Sequence, residues 1–347
     1  MNVVPAVFLK EPCLPMPETT SASVDLAAVA DVRQSLEEIL ARVGETVVGQ
    51  HHLLRGMLIG LLCRGHVLIE GVPGLAKTTA VSSLAKALGT DFSRLQFTPD
   101  LLPADVIGSE IYRPQDHRFE VQPGPIFANL VLVDEINRAP AKVQSALLEA
   151  MQERQVTIGG KTLKLPSPFM VLATQNPIDQ QGTYALPEAQ MDRFLMKLVV
   201  KYPAREDEEE ILNRALLPGD RRIESAPVVD ETQIEMAARA LESIQVSTTL
   251  RNYVLDLVAA TRDPSQLDPQ LSNLIRYGVS PRGTIALTLA ARAEAFLKNR
   301  EYVIPEDVRA VLWDVFRHRM ALSYEALAEE LTVDDVLERL VDRVPVP

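Results

Sequence analysis

The chain has 347 residues, of which 47% are hydrophobic and 24% are charged, a balance typical of a folded globular protein and not of a disordered or membrane-embedded one. Its 35 Lys and Arg residues face 47 Asp and Glu residues, so the formal net charge is -12. That charge argues against broad electrostatic affinity for the phosphates of nucleic acids. The length predicts two domains and a tail.

The cysteines and the N-terminus give no sign of an exported or membrane-bound protein. Cys13 and Cys63 are the only cysteines and lie far apart, so we expect neither a disulfide framework nor a cysteine metal site. The apolar stretch from Leu53 to Cys63 is too short to cross a bilayer. Because the N-terminus also lacks the pattern of a secretion signal, we expect no membrane insertion and a cytoplasmic location.

The N-terminal part contains a tail followed by a helix. Residues 1–24 mix prolines with Ser and Thr and show no sustained period, which predicts a flexible extension. Leu36, Ile39 and Val43 then recur at helical spacing, with Gly44 as the expected stop. This pattern predicts an amphipathic helix that packs on the rest of the protein.

Short apolar runs separated by helical stretches begin at residue 66. Buried strands of a parallel sheet have this form, since both of their faces are covered. We therefore predict an α/β domain with a five-stranded parallel sheet sandwiched by helices. The runs are His66–Ile69, Arg94–Phe97, Leu130–Val133, Phe169–Ala173 and Phe194–Val200, of which the second is the weakest signal.

Two segments interrupt the alternation and predict β-hairpins inserted into this domain. Gly159 and Gly160 separate two short β-like runs, a strong hairpin signal, and a polar turn separates Glu110–Arg113 from Arg118–Val121. After Pro203 the strand signals stop and the remainder is predicted to be helical. We place the domains at 25–202, the α/β domain, and 203–347, a helical domain.

A phosphate-binding loop follows the first predicted strand. Residues 71–78 read GVPGLAKT, similar to the pattern G-x-x-x-x-G-K-[ST] with Ala76 in place of the second Gly. Backbone N–H groups of such a loop and the start of the next helix, predicted over Thr79–Leu88, bind phosphate oxygens. In this loop Lys77 would neutralise phosphate charge and the Thr78 hydroxyl would bind Mg²⁺.

Polar residues end two further predicted strands. Asp134 and Glu135 follow the third apolar run, and Asn176 follows the fourth. Ligands of open α/β sheets bind at this edge, so Asp134 is expected to hold the Mg²⁺ shell and Glu135 to orient or deprotonate a water molecule. Asn176 is placed to contact the γ-phosphate. The histidines form no set with metal-like spacing, which argues against zinc.

Several long phrases in this order resemble the MoxR family of AAA+ ATPases, which belong to the P-loop NTPases. The similarity extends from about residue 30 to the C-terminus, and Ala76 fits this family. Beyond the loop, the phrases are DEINRAP at 134–140, ALLEAMQERQV at 146–156, ATQNP at 173–177, GTYALPEAQMDRF at 182–194, Ser280-Pro281-Arg282 and Arg317-His318-Arg319.

The resemblance implies a Mg²⁺-dependent ATPase with a C-terminal α-helical lid, assembled as a homo-hexameric ring with ATP at subunit interfaces. By their motifs, Asn176 resembles sensor 1, Arg193 an arginine finger with Arg138 as the alternative, and Arg282 sensor 2. The hairpin at Gly159 resembles an insertion near the ring pore. The residues expected to contact the nucleotide are Val48, Gly49, Gln50, Gly71, Val72, Pro73, Gly74, Leu75, Ala76, Lys77, Thr78 and Thr79.

Three functions remain open at this stage. The first is ATP hydrolysis that remodels or matures a client protein, with a von Willebrand factor A domain protein as a partner that the resemblance suggests. The second is an ATP-dependent switch or scaffold with little turnover, because nucleotide can order a protein without hydrolysis. The third is a DNA-directed motor, which the acidic charge and the absence of a helix-turn-helix pattern disfavour.

Overall fold

The computed structural model describes residues 26–177, 184–216 and 228–347. The predicted flexible extension at 1–24 lies outside these ranges, as do Cys13 and part of the phrase at 182–194. Within the ranges, no helix combines the length and the apolar character that a membrane span requires.

A five-stranded sheet forms the centre of the α/β domain. Its strands are β1 (Val67–Glu70), β2 (Phe92–Gln96), β5 (Leu130–Asp134), β8 (Met170–Gln175) and β9 (Met196–Val199). They pair in the order β2-β5-β8-β1-β9, and every pairing is parallel. The predicted five-stranded parallel sheet is confirmed.

Helices cover both faces of this sheet, because successive strand residues point into two separate cores. Val67 and Ile69 belong to one core, whereas Leu68 belongs to the other. The helices of the first core include α1 (Leu26–Thr46), α2 (His51–Leu62) and α3 (Lys77–Ala87), and those of the second are α4 (Pro103–Ile107) and α5 (Ala141–Glu153). The short helix α6 (Glu188–Met191) leads into β9.

The predicted stop of α1 at Gly44 is wrong, since the helix continues to Thr46. Val43 and Val47 are both buried in the core, and His51 packs against Gly44. Tertiary packing on either side of the glycine outweighs its weak helical propensity, which costs only about 1 kcal/mol.

Both predicted hairpins are confirmed. The first consists of β3 (Gly108–Arg113) and β4 (Arg118–Pro123), and the second of β6 (Gln155–Ile158) and β7 (Lys161–Lys164). Gly159 and Gly160 have φ angles of 55° and 76°, as a two-residue turn between antiparallel strands requires. The hairpins touch, because a Cβ at Gly159 would lie 2.5 Å from the carboxylate of Glu110.

In its described residues, 203–216 and 228–347, the C-terminal part is mainly helical. Its helices are α7 (Arg205–Leu216), α8 (Glu231–Ala240), α9 (Thr248–Arg262), α10 (Pro269–Ser272), α11 (Pro281–Leu297), α12 (Pro305–Phe316), α13 (Tyr324–Ala328) and α14 (Val333–Val341). It also contains a two-stranded antiparallel sheet of β10 (Ile275–Tyr277) and β11 (Ala321–Leu322), which the sequence did not indicate. Helix α11 packs on α2 and α12 packs on β9. The boundary at 202/203 stays a prediction.

Candidate functional site

The phosphate loop leaves β1 at the carboxyl edge of the sheet. Gly71 N donates to Gln175 O at the end of β8 (3.3 Å), and α3 begins at Lys77, two residues earlier than predicted. Ala76 precedes that helix with a left-handed φ of 54°. The generic pattern has Gly at this position because a residue with a Cβ loses about 1 kcal/mol of conformational free energy in the left-handed region. Such a loss is small enough for Ala76 to occupy the position.

A cavity of about 380 Å³ opens beside this loop. Its lining combines the end of the loop and the start of α3 with the polar residues that follow β5 and β8. The lining residues are Pro73, Gly74, Ala76, Lys77, Thr78, Thr79, Arg94, Gln96, Asp134, Glu135, Thr174 and Asn176. The structure therefore brings the predicted phosphate loop, acidic pair and Asn176 together, as expected for parallel strands whose carboxyl ends share one edge.

Lys77 is held inside the loop that it belongs to. Its Nζ donates to Gly71 O. Burial lowers the pKa of Lys77, and the carboxylates of Asp134 and Glu135 partly oppose that effect. The side chain is therefore a partly desolvated cation close to two acids, so an incoming phosphate would be attracted by the ammonium group and repelled by the carboxylates.

The acidic pair is organised by Thr174. Thr174 Oγ1 donates to the carboxylate of Asp134 (3.2 Å), the last residue of β5. Thr174 Oγ1 also accepts a hydrogen bond from Glu135 N (3.0 Å). Glu135 has a φ of 57°, a conformation that costs free energy for a residue with a side chain and is often found at functional sites.

Besides Thr174, sequence reasoning missed Arg94 and Gln96, which also contact these acids. Arg94 Nε donates to Asp134 Oδ2 (2.7 Å), and Gln96 Nε2 donates to Glu135 Oε2 (2.9 Å). Arg138, the alternative arginine finger, forms an ion pair with Glu135 of its own chain (3.1 Å). The available signal was the alternation of Arg94 and Gln96 in a strand next to the acidic pair, since alternate residues lie on one face.

The predicted adenine segment borders a second cavity of about 400 Å³. Gly49 and Gln50 line it, together with residues 198–202 and Arg317, whereas Val48 does not. Gln50 Nε2 donates to Lys201 O (3.3 Å). The phosphate loop begins beside this lining, because a Cβ at Gly71 would lie 3.0 Å from Val200 Cβ. In the loop itself, Gly71, Val72 and Leu75 line neither cavity.

Arg193 and Arg282 lie elsewhere. Both line a third cavity of about 330 Å³, together with Arg64, Arg154 and Arg319. Arg193 Nη1 donates to Leu148 O (3.0 Å), and its Nε is buried with no hydrogen-bond partner in the described part of the chain. The structure therefore does not bring the predicted arginine finger and sensor 2 to the Lys77 cavity of the same chain. They face a separate, arginine-rich one.

His66 forms part of the wall of this arginine-rich cavity. Its Nε2 donates to Met151 O (3.0 Å), and its Nδ1 accepts from Val171 N (3.0 Å). Burial lowers the pKa of His66 to about 4, and the charge of Arg154 contributes to the same shift. The ring is therefore neutral at physiological pH and has a structural role that joins β1, α5 and β8.

His66 predicts a pH dependence of stability. Its folded pKa lies below its unfolded value, so its contribution is complete above pH 6.5 and is lost as the pH falls towards 4. Chemical denaturation across pH 4–8 should show the unfolding free energy decreasing over that window. A His66→Gln variant should show a shallower decrease, whereas His117→Gln, at an exposed site, should follow the parent. Equal slopes for all three proteins would contradict this assignment.

Comparisons with known proteins agree with this geometry. The model of the ATPase family associated with various cellular activities (AAA) matches residues 66–196, and an AAA lid domain model matches residues 271–340. The chain is 49% identical to "Chaperone MoxR1" of Mycobacterium tuberculosis, covering 90% of this chain and 82% of that protein. It is 36% identical to "Protein MoxR" of Paracoccus denitrificans, covering 92% and 98% of the two chains.

A solved structure extends the agreement to three dimensions. The crystal structure of a candidate ATPase from Cytophaga hutchinsonii superposes with a TM-score of 0.86 at 44% identity, covering 92% of this chain and 97% of that one. Family models, relatives and fold thus point to the same enzyme class as the cavity around Lys77. This chain belongs to the MoxR family of AAA+ ATPases, and its activity is the hydrolysis of ATP.

Proposed function

We propose that this ATPase works as a closed ring, a homo-hexamer by its family resemblance, and uses Mg²⁺-dependent ATP turnover to remodel a client protein. The ring is supported by one observation: within one chain, the residues predicted to act on ATP lie in two separate cavities. Lys77 and Glu135 line one cavity, while Arg193 and Arg282 line another. Joining unlike faces of successive subunits would complete each site and close a ring.

In this arrangement two neighbouring subunits each supply part of every nucleotide site. One subunit supplies the phosphate loop, with Lys77 against the β- and γ-phosphates, Asn176 near the γ-phosphate and Glu135 to orient the attacking water. The neighbouring subunit supplies the guanidinium groups of Arg193 and Arg282, which stabilise the charge that develops on the transferred phosphoryl group. The adenine would occupy the cavity beside Gly49 and Gln50.

Magnesium suits the donors present at the Lys77 cavity. The Thr78 hydroxyl and the Asp134 carboxylate are hard oxygen ligands of the kind that Mg²⁺ prefers beside nucleotide phosphates. When bound, the ion would neutralise negative charge on the phosphates. Thr174 and Arg94 hold the Asp134 carboxylate in place, so this ligand is oriented by its own chain.

The first hairpin offers a surface for the client protein. Ile111, Tyr112 and Phe119 are exposed, and the rings of Tyr112 and Phe119 pack together with centroids 5.2 Å apart. Exposed aromatic groups of this kind bind apolar segments of other proteins. A relative with nearly half its residues identical is named a chaperone, which supports a protein client. We also propose a cytoplasmic location and, from the family resemblance, a partner with a von Willebrand factor A domain.

The ring predicts that turnover depends on assembly. ATP turnover per subunit should rise with protein concentration and level off once the ring is complete, with the assembled fraction measured by light scattering under the same conditions. An Arg193→Ala variant should assemble but stay at low turnover across the range. Full turnover by a monomer at low concentration would contradict the shared site.

A further inference from the structure

The segment Arg317-His318-Arg319 follows α12 and contacts the segment 192–197, which contains Arg193. Arg317 Nη1 donates to Lys197 O (3.0 Å), His318 Nε2 to Phe194 O (3.1 Å), and Arg319 Nη1 to Leu195 O (3.1 Å). Three consecutive side chains of the helical domain thus bind carbonyl groups of the chain between residues 194 and 197. Because backbone carbonyls are bound, the contact fixes the path of the chain.

Arg319 is the centre of this contact. Its side chain is only 2% exposed, and its Nε donates to Asp192 Oδ1 (2.8 Å). Its Nη2 donates to Phe194 O (2.6 Å). Burial lowers the pKa of Arg319 to about 10, so the guanidinium is charged at neutral pH. The planar fork therefore binds both the residue before Arg193 and the residue after it.

Asp192 connects the segment 192–197 to the helix that bears Arg282. Its second carboxylate oxygen accepts from Ser280 Oγ (2.9 Å), and Ser280 is the N-cap of α11, where its Oγ accepts from Arg282 N (3.2 Å). One carboxylate thus links Arg319, the chain at Arg193 and the first turn of the helix that bears Arg282. The aliphatic part of Arg319 packs against Gly283 in that turn, where a Cβ would lie 2.9 Å from Arg319 Cδ.

A buried ion pair is a weak source of net stability, because the desolvation of both charges offsets their attraction. The hydrogen bonds of this pair instead fix the relative positions of two separate pieces of chain, each of which carries an arginine of the same cavity. Misplacement of a charged group by about 1 Å is enough to cost catalysis about 100-fold.

We propose that Asp192 and Arg319 are positioning residues that hold Arg193 and Arg282 as one rigid unit for the nucleotide of a neighbouring subunit. This inference rests on the shared site of the proposed function. Neither residue touches the nucleotide in this scheme. They act through the geometry of the two arginines, so they affect turnover in a neighbouring subunit and leave the subunit's own phosphate loop unchanged.

The test is ATP turnover by mixed variants. Arg319→Gln alone should lower kcat by about 10- to 100-fold, as supporting residues of a site usually do, with Mg-ATP affinity within about twofold of the parent. Mixing it one to one with Lys77→Ala should restore turnover towards about a quarter of the parent value, because about a quarter of random interfaces join an intact loop to an intact arginine pair.

Two further comparisons separate positioning from general damage. Arg300→Gln breaks another buried Arg–Asp pair, to Asp307, and should leave turnover per folded molecule unchanged. Ser280→Ala removes one bond to Asp192 and should lower kcat, while Ser280→Thr, which keeps the hydroxyl, should restore it. Parental turnover in folded Arg319→Gln would overturn the proposal, as would a parallel loss of Mg-ATP binding that mixing does not restore.

The pair Lys77→Ala and Arg193→Ala tests the proposed function by itself. Restored turnover in that mixture establishes the shared site whatever Arg319→Gln does. No restoration in that mixture would overturn the shared site and, with it, the positioning role. Restoration there without restoration for Arg319→Gln would overturn the positioning role alone.

Discussion

Replacing Glu135 with Gln is expected to lower ATP turnover by about 100- to 10,000-fold, the usual contribution of a general base, and to leave Mg-ATP binding intact. Gln has the same shape but cannot accept a proton from water. The carboxylate is placed for that task by its contacts, because Gln96 and Arg138 both bind Oε2. Turnover should be followed by phosphate release and binding by calorimetry on the same preparations.

Glu70→Gln is the matched control for this substitution. Glu70 ends β1 at the same edge of the sheet and is paired with Lys197 (2.6 Å), but it lies outside the lining of the Lys77 cavity. The control should turn over ATP at the parental rate. If Glu135→Gln retained turnover within about threefold of the parent, the base would have to be another group, since loss of a true base costs far more.

The Glu135→Gln variant can also be used to test whether the first hairpin binds the client protein. Held in the ATP state, it should retain client protein that the parent releases. Adding Tyr112→Ser and Phe119→Ser should abolish that retention, because the exposed aromatic contact of the first hairpin is lost. The same double change should not alter basal ATP turnover, since the hairpin lies apart from the residues that line the Lys77 cavity. Equal retention with and without the aromatic rings would contradict this client surface.

The sequence predicted the sheet because the strands at its centre are buried on both faces. Continuous apolar runs between helical segments are typical of strands in the middle of a parallel sheet. Two runs have this form, Leu130–Val133 and Phe169–Ala173. The phosphate loop and the acidic pair were predictable for a related reason, since each follows such a strand directly. Local order in the chain is enough to place both at the same edge.

Other features depend on register and packing, which local patterns do not encode. Gln96 pairs with Asp134 in the register of β2 and β5, and that register decides that its side chain reaches Glu135. The strands β10 and β11 are three and two residues long and exist only because distant segments meet. Such short runs carry no periodic signal of their own.

The position of the arginines shows the same limit most clearly. Arg193 and Arg282 were identified by motif, but no motif states how the helical domain docks on the sheet. Docking depends on long-range contacts such as Arg319 with Asp192 and Arg55 with Glu294 (2.7 Å). These contacts place both arginines in one cavity away from Lys77. The family resemblance already implied ATP at subunit interfaces, but only the packing shows that Arg193 and Arg282 share a cavity.

Replacing Lys77 with Ala is expected to weaken Mg-ATP binding by about 10- to 100-fold, since a hydrogen bond to a charged group is worth about 1.5–3 kcal/mol. Turnover should fall by at least about 100-fold, because charge stabilisation of the transferred phosphoryl group is lost as well. This variant therefore differs from Glu135→Gln, which keeps binding. Lys86→Ala, at an exposed position of the same helix, is the matched control and should behave as the parent.

Thermal unfolding distinguishes lost binding from lost folding in Lys77→Ala. The substitution removes a partly buried cation whose hydrogen bond is to Gly71 O, so the unfolding temperature without nucleotide should change little. Nucleotide at 100 times its Kd stabilises the parent by about 2.7 kcal/mol, and the same concentration of a ligand bound 10- to 100-fold more weakly stabilises by only about 1.4 to 0.4 kcal/mol. A full nucleotide-induced shift in Lys77→Ala would mean that the loop binds phosphate through its backbone alone.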